Sequence, residues 1–110
     1  MKEYTLKMQA ARKAEKVILL GGAESQKEAE NYASKLVDKW VDKENILGST
    51  FGYAFLFDGD KLVACISYNG RVWTPEESAW DVSEDCWYAK MMKKNGYTGS
   101  FRNRTASEFS

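Results

Sequence analysis

The sequence predicts an α+β domain with two N-terminal helices, a three-stranded antiparallel β-meander and a C-terminal helix, in the order α-α-β-β-β-α. Three observations predict it. Asn69-Gly70 stands between two strand-like runs and marks a hairpin. Residues from Lys27 to Lys43 repeat apolar side chains at helical spacing. Thr74-Pro75-Glu76-Glu77 has the residues of a capped helix start.

The elements follow in order. Thr5 to Leu20 is helix-favouring, with Leu6, Met8, Ala11, Ala14, Val17, Ile18 and Leu20 apolar, and Gly21-Gly22 stops it. A strand at Tyr4 to Met8 competes for its start, because Tyr4, Leu6 and Met8 alternate. In the second helix Ala29, Tyr32, Ala33, Leu36, Val37, Trp40 and Val41 form one stripe. Ser25 caps it, Glu28 follows three residues later, and Asn45 and Gly48 offer exits.

Phe51 to Phe57 and Lys61 to Tyr68 are strand runs joined by Asp58-Gly59-Asp60. That loop suits a three-residue hairpin, with a four-residue loop as the alternative. A type I′ turn at Asn69-Gly70 pairs Tyr68 with Arg71, Ser67 with Val72 and Ile66 with Trp73. One sheet face then holds Gly52, Ala54, Leu56, Leu62, Ala64, Ile66 and Trp73. The other holds Phe51, Tyr53, Phe55, Phe57, Val63, Cys65 and Val72. Neither face is polar, so both need cover. Either the three helices supply it, or one face is a partner or oligomer interface. The chain is therefore expected to self-associate as a dimer.

After Thr74 the helix has a possible break. Ser83 caps a second segment in which Cys86 lies in the first turn, and Asn95-Gly96 ends it. Trp87, Tyr88, Met91 and Met92 make its apolar stripe. Residues 97–110 lack periodicity, pack through Tyr97 or Phe101 and fray after Arg104, which leaves 105–110 frayed.

The 110 residues make a single domain, 1–110, able to bury roughly 60–70% of its unfolded surface. Hydrophobic residues are 44% and charged residues 29%, an ordinary globular balance that argues against disorder. A formal net charge of zero removes the simplest case for nucleic acid or an acidic membrane. No signal segment and no run long enough to span a membrane is visible. Two cysteines, Cys65 and Cys86, suit free thiols in a reducing cytoplasm, with a single disulfide as the alternative.

Chemistry is mainly excluded. The chain has no histidine, so His-dependent triads and His-containing zinc sites are impossible within it. No phosphate-loop or dinucleotide fingerprint occurs, and no cofactor or metal is expected. Cys86 near a helix start gains from the dipole, but Glu84 and Asp85 oppose a thiolate. Glu76, Glu77, Asp81, Glu84 and Asp85 occupy positions that helix N-termini favour, which explains them without a metal.

From Cys86 to Ser107 there are five basic residues and no acid. Lys90, Lys93 and Lys94 complement a helix C-terminus, whereas Arg102 and Arg104 lie beyond it. With Tyr97 and Phe101 these arginines suit a phosphate or acidic partner.

The α-β-β-β-α order of the last five elements resembles that of double-stranded RNA-binding domains. That family places lysines at the start of its final helix, where this chain has acids, and the contrast argues against double-stranded RNA. In size and aromatic richness the chain resembles small phage or mobile-element accessory proteins. The functional expectation is a small non-enzymatic binding protein that acts through a protein–protein surface as an inhibitor or regulator. Its candidate binding residues are Phe51, Tyr53, Phe55, Tyr97, Phe101, Arg102 and Arg104. The alternative is a binder of a phosphorylated or nucleotide-like ligand through the C-terminal Arg/aromatic segment.

Overall fold

A computed structural model describes residues 3–80 and 82–101. Its elements are β1 (Tyr4–Ala10), β2 (Lys16–Leu19), α1 (Gln26–Lys43), β3 (Phe51–Asp58), β4 (Lys61–Ile66), β5 (Val72–Trp73), α2 (Pro75–Ala79) and α3 (Trp87–Lys94). The five strands form one antiparallel sheet in the order β2-β1-β3-β4-β5. The α+β class stands, with a larger sheet than the three strands expected.

The main correction is at the N-terminus, where a hairpin replaces the expected first helix. Tyr4, Leu6, Met8 and Ala10 are buried while Thr5, Lys7 and Gln9 between them are half-buried, which is strand periodicity. The loop after β1 places Arg12 at φ +63°, a break that no helix tolerates. The favourable helix propensity of this segment loses to the burial gained when β1 pairs along the whole of β3. β2 and β3 flank β1 and run parallel to each other, so α1 is the crossover between them.

α1 forms as its pattern demands. Ser25 caps it by accepting from the Glu28 N–H at 3.2 Å, and Asn45 leaves it at φ +53°. Ala29, Ala33, Val37 and Trp40 are buried against Tyr4, Leu6, Met8, Ala54, Leu56, Ala64 and Ile66. This is the first hydrophobic layer, and Trp40 belongs to it as the apolar stripe requires.

Both meander turns differ from expectation by one residue. Asp58 pairs directly with Lys61, leaving a two-residue loop with Gly59 at φ +61°. The pairing then shifts between Leu56–Ala64 and Phe57–Leu62, a bulge at Val63. Leu62 therefore joins the aromatic face and Val63 the α1 face, the reverse of the sequence assignment. At the second turn Cys65 pairs with Trp73 and Ile66 with Val72. Ser67 N–H donates to the Arg71 carbonyl and Gly70 N–H to that of Ser67, both at 2.9 Å. Only Gly70 has positive φ, +84°, so this is a three-residue loop ending in a left-handed glycine rather than a type I′ turn. Trp73 moves to the aromatic face as a result, and Val72 to the α1 face.

The second layer lies on that aromatic face. Tyr53, Phe55, Phe57, Leu62 and Cys65 pack under Ala79, Met92 and Tyr97. Thr74 and Glu77 form the reciprocal capping box of α2, with bonds of 3.0 and 2.8 Å. α3 starts later than expected: its cap is Cys86, whose Sγ accepts from the Ala89 N–H at 3.4 Å, and not Ser83. Gly96 at φ +98° ends it. Both cysteines are free.

Candidate functional site

The β3–β4 ladder stops at Phe55–Cys65, while β3 continues along β1 to Phe51 and β4 turns into its hairpin with β5. The two strands part beyond that point. α2 and α3 close the gap from one side, giving a cleft of about 350 Å³, within the roughly 300–1,000 Å³ range of ligand sites. Phe51 and Gly52 line one wall, and Cys65, Ser67, Tyr68 and Trp73 line the other. Glu77, Ser78 and Tyr88 come from the helical side.

Local backbone constraints build each wall. A Cβ on Gly52 would lie 2.4 Å from the Gln9 carbonyl oxygen, so only glycine lets β3 run this close to β1. The same Cβ would lie 3.4 Å from the Trp87 ring, which places that indole beside the cleft. The Arg71 guanidinium stacks 4.3 Å above the Trp73 ring, a cation–π contact that holds the indole. Tyr68 and Trp87, 47% and 54% exposed, offer aromatic surface at the mouth.

The polar groups inside are few and hydrogen-bonded. Ser78 Oγ and Tyr88 OH lie 2.8 Å apart. Burial pushes the Cys65 thiol up to about 11, against the pull of hydrogen bonds from Ser78 and Tyr88. Burial, then the neighbouring Cys65, raises the Tyr88 hydroxyl as well. Glu77 is held below the usual carboxylate range, chiefly by the Thr74 backbone N–H and then by its side chain. The lining contains this one carboxylate and no basic side chain.

The residues singled out from sequence are dispersed. Phe51 lines the cleft and meets Trp40 edge-on at 6.1 Å. Tyr53 and Phe55 are 1% and 0% exposed and stack on each other at 4.7 Å within the second layer, so they offer no outer surface. The Tyr53 hydroxyl donates to Glu15. Burial, then Glu15, raises the pKa of that hydroxyl. Tyr97 is buried, its hydroxyl donates to the Ser100 carbonyl at 2.8 Å, and Phe101 meets it edge-on. Arg102, Arg104 and Asp81 lie outside the described residues. Cys86 is used as a helix cap, and Glu84 beside it pairs with Lys93 at 2.9 Å.

Sequence reasoning missed Tyr68, Trp73, Ser78, Tyr88 and Trp87. Its one available signal was Trp73, whose face depends on the hairpin register. No helix among the described residues is long and apolar enough to cross a membrane. No known protein-family model matches the chain, and no curated protein or solved structure matches it either.

Proposed function

We propose that this chain is a small non-enzymatic binding protein that holds a protein partner at the aromatic mouth of the β3–β4 cleft and acts as an inhibitor or regulator. The observation that supports it is the placement of two exposed rings, Tyr68 and Trp87, beside a concave site walled by Phe51 and Trp73. Tyrosine and tryptophan around a pocket are the composition of an interface hot spot, where one inserted side chain supplies much of the affinity. An apolar side chain of the partner fills the cleft between the Phe51 and Trp73 walls. A phosphorylated ligand would find no basic side chain in this lining, so the ligand-binding alternative rests on the C-terminal Arg/aromatic segment with Arg102 and Arg104.

The test is a pull-down from the native host with the wild type beside the Tyr68→Ala, Trp87→Ala double variant. Partners held by the cleft disappear from the double variant, and the purified pair loses at least tenfold in affinity. Unchanged capture by a folded double variant would remove the cleft from the reading. Loss of capture on changing Arg102 and Arg104 would then move the site to the C-terminal segment.

A further inference from the structure

A separate surface lies at the opposite edge of the sheet. Among the described residues β2 pairs only with β1. The Leu20 N–H donates to the Tyr4 carbonyl at 2.9 Å, which sets the phase of that ladder. Lys16, Ile18 and Leu20 turn their backbone groups toward β1, and Val17 and Leu19 turn theirs outward. The side chains of Val17 and Leu19 are 54% and 78% exposed. They stand on the same sheet side as the aromatic layer, yet that layer takes no apolar residue from β1 or β2. Its part of the face shows Thr5, Lys7 and Gln9 in place of a helix cover. The edge has no proline and no bulge; its guards against pairing with another chain are its four-residue length and Lys16, whose ammonium lies 4.0 Å from Glu44 of its own chain.

We infer that β2 is a self-association edge, which joins two copies of this chain through an antiparallel β2–β2 pair about a two-fold axis at Ile18. The phase supports this register. With the axis at Ile18, Val17 of one copy faces Leu19 of the other, and both residues carry the outward N–H and C=O groups. Four hydrogen bonds form, and the two five-stranded sheets become continuous. The same register brings Val17 and Leu19 of both copies into one apolar strip on the bare face.

Charge points to the antiparallel arrangement. In this register Lys16 of one copy faces Leu20 of the other, whereas an in-register parallel pair would set Lys16 beside Lys16. Within each chain Glu44 already answers Lys13 at 3.0 Å and Lys16 at 4.0 Å, so the end of the strand carries no unpaired basic cluster. A four-residue strand is a small joint, so the dimer is weak and forms in the micromolar range or above.

Sedimentation velocity over a concentration series tests the inference. The wild type moves from monomer to dimer as concentration rises. Leu19→Pro deletes an N–H that faces away from β1, so it leaves the intrachain ladder and the melting temperature nearly unchanged while the dimer is lost. Cross-linking tests the register in a Cys86→Ser background. Ile18→Cys meets itself across the axis and forms an intermolecular disulfide on mild oxidation; Val17→Cys faces Leu19 and does not. A wild type that stays monomeric up to millimolar concentration overturns the inference. So does a Leu19→Pro chain that dimerises like the wild type, or Val17→Cys cross-linking as readily as Ile18→Cys.

Discussion

The two hydrophobic layers of this sheet are built differently. On the α1 side an 18-residue helix sets Ala29 and Ala33 against a sheet face that includes Ala54 and Ala64. Small side chains let helix and sheet approach closely, and Leu6, Leu56, Val37 and Trp40 fill the flanks. On the other side large rings, Tyr53, Phe55 and Phe57, lie under helices of five and eight residues. Short helices cannot roof a whole face. The second layer leaves a cleft at one end and bare strands at the other edge. The first layer therefore holds the fold together, and the second supplies surface.

Core truncations should break or sharpen that contrast most. Trp40→Ala empties a large site in the first layer and should cost about 3–5 kcal/mol in urea unfolding. Met92→Ala, under the short α3, should fall near the lower end of the roughly 2–5 kcal/mol range for such changes, because a short helix can settle into the gap. If Met92→Ala proves the costlier of the two, the assignment of stability to the first layer is wrong.

The alkaline limb of stability, compared with and without the Cys65 thiol, reports on the second layer. The buried Cys65 thiol titrates near 11 when folded, against 9.0 for its ordinary value. A raised acid pKa means that the folded state keeps its proton longer. The contribution is fully present below pH 9.0, is lost as pH rises toward about 11, and is on the order of 3 kcal/mol. Urea melts of the wild type and Cys65→Ala from pH 7 to pH 11 should show a shallower alkaline decline in the variant. Parallel curves would mean that Cys65 is wetter than its burial indicates, and that the layer is looser over the cleft floor.

Much of this architecture could be read from residues, and the failures have a common cause. α1, both of its ends and the capping box of α2 follow local rules, and local rules were enough. The β1–β2 hairpin did not follow them. Tyr4, Leu6 and Met8 alternate, but the segment is also rich in helix formers, and only pairing along β3 decides between the two. The site suffered more. Tyr53 and Phe55 looked available because nothing in a sequence shows which rings a helix will cover. The cleft itself arises where two strands part, and that depends on one bulge and one turn register.

That turn register gives the smallest effect and the sharpest test. In the observed loop only Gly70 is left-handed, whereas a type I′ turn would require Asn69 to be so as well. A side chain at Gly70 is strained at φ +84°, and its Cβ would lie 3.2 Å from Ser34 Oγ. That Ser34 hydroxyl donates to the Gly70 carbonyl at 2.5 Å and ties the loop to α1. Gly70→Val should therefore cost at least about 1 kcal/mol, and Gly70→Ala somewhat less. Asn69→Ala loses only the exposed contacts of Asn69 Oδ1 with the Arg71 N–H and Ser67 Oγ, and should stay below about 1 kcal/mol. Thermal melts of the three variants decide the matter. Equal costs at 69 and 70 would mean two left-handed residues and the type I′ pairing of Ile66 with Trp73. Trp73 would then turn toward α1, and the cleft would lose the wall on which its proposed partner closes.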